Sequence, residues 1–98
     1  MKELPTDAKE YKRTPSFTEK TVPKGLLRSH TTKTGTWGKI MIEEGKLLYR
    51  ILEPELEEIE LSPEKYGVVE PQVPHEVKPL GPVKFHVEFM SNSLSNKS

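Results

Sequence analysis

Val83, Phe85, Val87 and Phe89 alternate with Lys84, His86 and Glu88. A period of two sorts side chains into an apolar and a polar face only when the backbone is an extended strand. The same period recurs upstream. Ile40 and Ile42 oppose Trp37, Lys39 and Met41, and Leu47, Tyr49 and Ile51 share one side of residues 46–52. In Glu57-Glu58-Ile59-Glu60-Leu61, charge alternates with aliphatic side chains. A helix over residues 55–61 would have to fit between Pro54 and Pro63, a window too short for one. Turn chemistry separates these runs at Val22-Pro23-Lys24-Gly25, Glu44-Gly45, Glu53-Pro54, Ser62-Pro63 and Pro79-Leu80-Gly81-Pro82.

The spacing predicts about eight short strands, with turns roughly every eight to twelve residues, and hence an all-β sandwich or barrel. Residues 14–17 read as a short edge strand, because proline is tolerated there. Residues 26–32 read as a strand running into a polar loop that ends at Gly35. Residues 36–43 and 46–52 read as a hairpin about Glu44-Gly45, since glycine accepts the positive φ of a tight turn. Short strands at 68–71 and 75–78 precede the last one at 83–89. Closing such a sheet hides its edges.

The 98 residues suffice for one small domain. Residues 11–90 form that domain, after a flexible arm at 1–10 and before a low-complexity, disordered tail at 91–98. Fifteen basic and fifteen acidic side chains leave no net charge and intermingle along the chain, which argues against a nucleic-acid partner. Weak self-repulsion and the edge strand point to a homodimer. No cysteine is present, which excludes disulfides, thiolate metal sites and a cysteine nucleophile and favours the cytoplasm. Met1-Lys2-Glu3-Leu4-Pro5 has no apolar signal-peptide core, and no apolar run approaches the roughly 20 residues that cross a bilayer. No nucleophile elbow, phosphate loop or dinucleotide fingerprint occurs.

The stretch with most chemistry is Val68-Val69-Glu70-Pro71-Gln72-Val73-Pro74-His75-Glu76-Val77. Pro71 and Pro74 hold an extended path and fix the directions of Glu70 and His75. A carboxylate and an imidazole on such a path suit metal ligation, acid/base work or a surface ion pair. His30, beside Thr31 and Thr32, reads as a loop histidine or a ligand. His86 and Glu88 point outward if the apolar face of the last strand fills the barrel; with the strand turned the other way, His86 becomes a third imidazole near the site. Trp37, the only tryptophan, reads as a core or pocket-wall residue.

The proline-framed histidine resembles the second motif of cupins. Taken with Tyr11-Lys12-Arg13-Thr14-Pro15, His30 and Gly35-Thr36-Trp37-Gly38-Lys39, the chain resembles the small cupin-like domain of tellurite-resistance TehB proteins and stand-alone YeaR-like proteins, over residues 11–90. The resemblance implies a double-stranded β-helix, or jelly-roll barrel, in the bacterial cytoplasm, with a link to tellurite resistance and to oxidative or nitrosative stress. In the fused proteins the tellurite-modifying chemistry looks to belong to a methyltransferase domain, for which this sequence has no counterpart. Against the general cupin pattern, Gly45 matches the first motif's glycine and His30 its first histidine. Thr32 replaces the second histidine, and Gly38 stands near the glutamate position.

On this reading His30, His75 and Glu70 converge on a divalent zinc, iron, nickel or manganese ion, a two-histidine, one-carboxylate set with open positions. Trp37, Gln72, His86 and Glu88 are the expected pocket residues. The expected function is binding of a small molecule or oxyanion through such a centre. The alternative is a metal-dependent enzyme of oxygenase or isomerase type, so catalysis is left open.

Overall fold

Two long strands carry the fold. The computed structural model describes residues 1–92. Its elements are β1 (Ala8–Arg13), β2 (Phe17–Thr18), a 3-10 turn (Lys24–Leu27), β3 (Trp37–Ile51), β4 (Glu57–Leu61), β5 (Gly67–Val69) and β6 (His75–Asn92). All pair antiparallel in one open sheet of order β1-β6-β3-β4, with β2 also on β6 and β5 also on β3. β3 and β6 run together from Trp37 opposite Met90 to Ile51 opposite His75. The all-β expectation holds, with fewer and longer strands than the turn signals suggested.

The hairpin expected at Glu44-Gly45 is not there. Gly45 does take a positive φ of 82°, but the chain bends and continues as one strand. The reason is β6, which stays alongside on both sides of the bend, with Ile42 opposite Phe85 and Leu47 opposite Pro79. A Cβ on Gly45 would lie 2.2 Å from the Pro82 carbonyl oxygen, so only glycine lets the two backbones pass this closely. Pro79-Leu80-Gly81-Pro82 likewise does not reverse the chain. It is a bulge within β6 facing the β3 bend, and Gly81 has a φ of 111°.

The bends fold the sheet onto itself. Eighteen residues of straight strand would span roughly 60 Å, more than the 42 Å longest dimension of the molecule. Ile40, Ile42, Phe85 and Val87 on one side of the bends therefore pack against Leu47, Tyr49, Leu61 and Val77 on the other, in one core. Gly67 lies between the halves, where a Cβ would meet Leu61 at 2.8 Å and Tyr49 at 3.3 Å. Phe17 reaches this core from β2 and meets Phe85 edge-on, with centroids 5.8 Å apart.

Three local expectations change. Residues 24–27 form a 3-10 turn rather than part of a strand, closed by Leu26 N donating to the Pro23 carbonyl. Only His30 from that stretch pairs with the sheet. The edge strand placed at residues 14–17 falls instead at Phe17–Thr18. The boundary drawn after residue 10 lies within β1, whose Ala8, Lys9 and Glu10 pair with Asn92, Ser91 and Met90. Of the tail, Ser91 and Asn92 end β6 and the remainder lies outside the described residues. Among the described residues no helix is long and apolar enough to cross a membrane.

Candidate functional site

The first residue of β6 and an isolated bridge create the site. His75 N donates to the His30 carbonyl at 2.9 Å, and His30 N donates to the His75 carbonyl at 2.8 Å. This exchange holds the two imidazoles edge to face, with centroids 5.3 Å apart. Tyr49 of β3 flanks His75 at 5.9 Å, and its hydroxyl donates to the Val68 carbonyl. A second tie, Gln72 N to the Thr32 carbonyl, holds the far side of the bridge.

His75 is only 5 % exposed. Burial pushes its pKa below the ordinary histidine value and outweighs the opposite pull of its bond to Val73; the neighbouring His30 lowers it further. Its Nδ1 lies 3.0 Å from the Val73 carbonyl oxygen. That oxygen can only accept, so in the neutral ring Nδ1 carries the proton and Nε2 keeps its lone pair.

Beside the rings is a cavity of about 30 Å³. A water needs about 10–15 Å³ by this measure, so one or two fit. Leu26, His30 and Thr32 wall it on one side, and His75, Phe85 and other apolar side chains of the sheet on the other. Leu26, Thr32 and Phe85 were not among the candidates from sequence. Thr32 was detectable, because in an extended segment it shares a face with His30. Its hydroxyl donates to the Thr36 carbonyl at 2.8 Å.

His30 and His75 are thus brought together, and the other candidates lie elsewhere. Glu70 faces Lys2 at 3.4 Å and lines a separate surface groove of about 410 Å³ with Leu56 and Glu57. Gln72 is exposed, takes a φ of 63° and serves the site through its backbone. Trp37 alternates with the inward-facing Gly38 and does not line the cavity. His86 and Glu88 lie on the outer face.

There His86 sits between two carboxylates, with Nδ1 2.9 Å from Glu43 and Nε2 2.9 Å from Glu88. Ser16 donates to Glu43 at 2.6 Å, and Arg13 approaches Glu88 at 3.7 Å. Partial burial opposes a charge on His86, but the bonds to Glu88 and Glu43 outweigh it and raise the pKa. Two carboxylates accept from both ring nitrogens at once only when both carry protons, which makes this ring an imidazolium.

A family model described as the TehB-like domain matches residues 12–87. Two curated relatives from Haemophilus influenzae, strains KW20/Rd and 10810, are each named probable S-adenosyl-L-methionine-dependent methyltransferase TehB. They are 38% and 36% identical to this chain over an alignment of 74 residues, with 71% of this chain and 26% of each relative covered. The chain therefore aligns with about a quarter of the relatives' length. The crystal structure of TehB from Haemophilus influenzae superposes with a TM-score of 0.81 at 30% identity, covering 89% of this chain and 32% of that one. A protein from Escherichia coli K12 superposes with a TM-score of 0.84 at 19% identity, covering 94% of this chain and 98% of the other, a likeness of fold.

The divalent-metal expectation is corrected. Its third ligand, Glu70, pairs with Lys2 outside the histidine cavity. Among the described residues no three or more His, Cys, Asp or Glu side chains are grouped to hold an ion. The cofactor named for the curated relatives is S-adenosyl-L-methionine rather than a metal.

Proposed function

This chain belongs to the TehB-like domain family, and we propose that it is an accessory binding domain that takes a small molecule at the His30–His75 cavity. The observation that carries this reading is the cavity itself. It is the one place described above where side chains able to exchange hydrogen bonds with a guest meet an apolar interior. The proposal includes a double-stranded β-helix of the cupin type, supported by the paired bends that bring the two halves of the sheet face to face. A cytoplasmic setting is supported by the absence of cysteine. Tellurite or related stress resistance is the setting the family resemblance suggests.

Methyl transfer is left to a separate methyltransferase module, of the kind the curated relatives are named for. S-adenosyl-L-methionine does not fit the histidine cavity. The histidine cavity is an order of magnitude below the roughly 300–1,000 Å³ of pockets for molecules of that size.

Amide NMR of the labelled chain tests the reading. Titration with a fragment library should shift His30, Thr32, His75 and Phe85 together, and S-adenosyl-L-methionine should shift none of these four. Methyl transfer by the chain alone, or a fragment response confined to other surfaces, would overturn it. A homodimer through an open sheet edge, β1 or β4, is part of the proposal. Light scattering at tens of micromolar should give about twice the 11.2 kDa chain mass, and a lone monomer would remove that part.

A further inference from the structure

We infer that the His30–His75 cavity selects an uncharged ligand that donates a hydrogen bond to His75 Nε2, and that it rejects oxyanions. This inference rests on the reading of the cavity as a binding site and specifies what that site accepts.

An oxyanion leaves water only for a site that supplies several N–H or O–H groups or a positive charge. Here the nearby donors are already committed. His30 N and His75 N bond to each other's carbonyls, and Gln72 N bonds to the Thr32 carbonyl. The Thr32 hydroxyl is spent on Thr36, and the Tyr49 hydroxyl on Val68. The His75 Nδ1 proton is spent on Val73. Among the described residues no lysine or arginine lines the cavity. Among the described side chains that line the cavity, only the His30 ring has a proton left to give. What His75 offers is an acceptor, the Nε2 lone pair, which asks for an O–H or N–H group on the guest.

Charge around His75 agrees from each side. From β3 comes Tyr49, kept neutral because burial raises its pKa. From the segment ahead of β3 comes His30. β5 contributes only Gly67, Val68 and Val69, and Glu70 beyond it pairs with Lys2. Leu26 represents the 3-10 turn, whose Lys24 does not line the cavity. On β6 itself, Glu76 alternates outward and pairs with Arg50 at 2.9 Å. No carboxylate helps His75 to hold a proton, and no cation helps the cavity to hold an anion.

Size sets what is read. A volume of about 30 Å³ admits a single hydroxyl or amino head group. The body of the ligand must displace Leu26, which walls the cavity from a segment joined to the sheet by the His30–His75 bridge and the Gln72–Thr32 bond.

The test compares three probes by amide NMR at pH 7.5 and pH 5. Phenol is an uncharged donor at both values, toluene has nearly its shape without the donor, and inorganic phosphate is an oxyanion. Phenol should shift His30, Thr32 and His75 at pH 7.5 and bind at least tenfold tighter than toluene. Its affinity should hold or fall at pH 5 and should fall further as pH drops through the lowered pKa of His75, where protonation removes the Nε2 acceptor. Phosphate should give no shifts at these residues at pH 7.5. His75→Phe keeps a ring but removes the acceptor, and should bring phenol down to the affinity of toluene. The pH comparison on the unaltered chain stands even where that variant fails to fold. Equal binding of phenol and toluene would overturn the inference and leave the cavity a ligand site. Phosphate binding there at pH 7.5, or phenol binding that strengthens on acidification, would do the same. Failure of all three probes and of the fragment library would overturn both the inference and the functional reading.

Discussion

β6 carries two histidines into opposite surroundings. His75 lies inside, 5 % exposed, against a second imidazole, a tyrosine ring and aliphatic walls. His86 lies on the outer face between Glu43 and Glu88, with Ser16 and Arg13 completing the group. Burial opposes a charge on both, and only His86 has carboxylates to offset it. One residue type thus becomes a neutral acceptor at one place on a strand and a cation at another. What surrounds a histidine, more than its presence on a strand, decides what it can bind.

The comparison breaks most readily from the inside. Phe85→Ala empties a fully buried position that lines the histidine cavity. It should cost about 3–5 kcal/mol, measured by urea unfolding. A cost under about 1 kcal/mol would mean that the inner face is not the packed side. Gly45→Ala attacks the bend that creates an inner face at all. A positive φ of 82° and a backbone oxygen 2.2 Å from the new Cβ should together cost about 2–5 kcal/mol. Near-wild-type stability would show that the two strands can separate there without penalty. His86→Ala, one residue from Phe85, should cost only about 1–2 kcal/mol, since its loss leaves two partly solvated carboxylates without their shared cation.

The finest discrimination is the pH response. In an NMR titration His75 should protonate below the ordinary histidine value and His86 above it. Linkage gives the two opposite signs. The stability linked to a neutral His75 is intact above about pH 6.5 and is lost as pH falls toward its lowered native value. The stability from a charged His86 is intact below about pH 6.5 and is lost as pH rises through its raised native value. His75→Phe should therefore flatten the acid side of a melting-temperature profile, and His86→Ala the neutral-to-alkaline side. If the two variants flatten the same side, the contrast between the two faces is wrong.

Much of this was legible locally and little of it at long range. Alternation placed Ile40, Ile42, Val83, Phe85 and Val87 on inner faces and turned His86 and Glu88 outward, because the period of two is a property of each strand alone. The meeting of His30 and His75 was also expected, from a likeness to cupin motifs. Glu44-Gly45 was misread because a positive-φ glycine serves a hairpin and a bulge equally, and which one forms depends on a partner forty residues away in sequence. Glu70 was misread for a similar reason: proline framing set its direction, but nothing local revealed Lys2. Trp37 was correctly grouped with Lys39 and Met41, but that face is not the one that borders the cavity.

The placement of β6 has a kinetic side. β1, β2, β3 and His30 all pair with this one strand, the latest in sequence among the described residues. On the ribosome, β1 and β2 must wait without their partner until β6 has emerged. The β3–β6 ladder is shortest in sequence at Ile51 and His75 and longest at Trp37 and Met90. Closing the shorter loop costs less chain entropy, so zippering should start beside His75 and run toward Met90. The strand whose first residue borders the histidine cavity is then also where assembly of the native sheet begins.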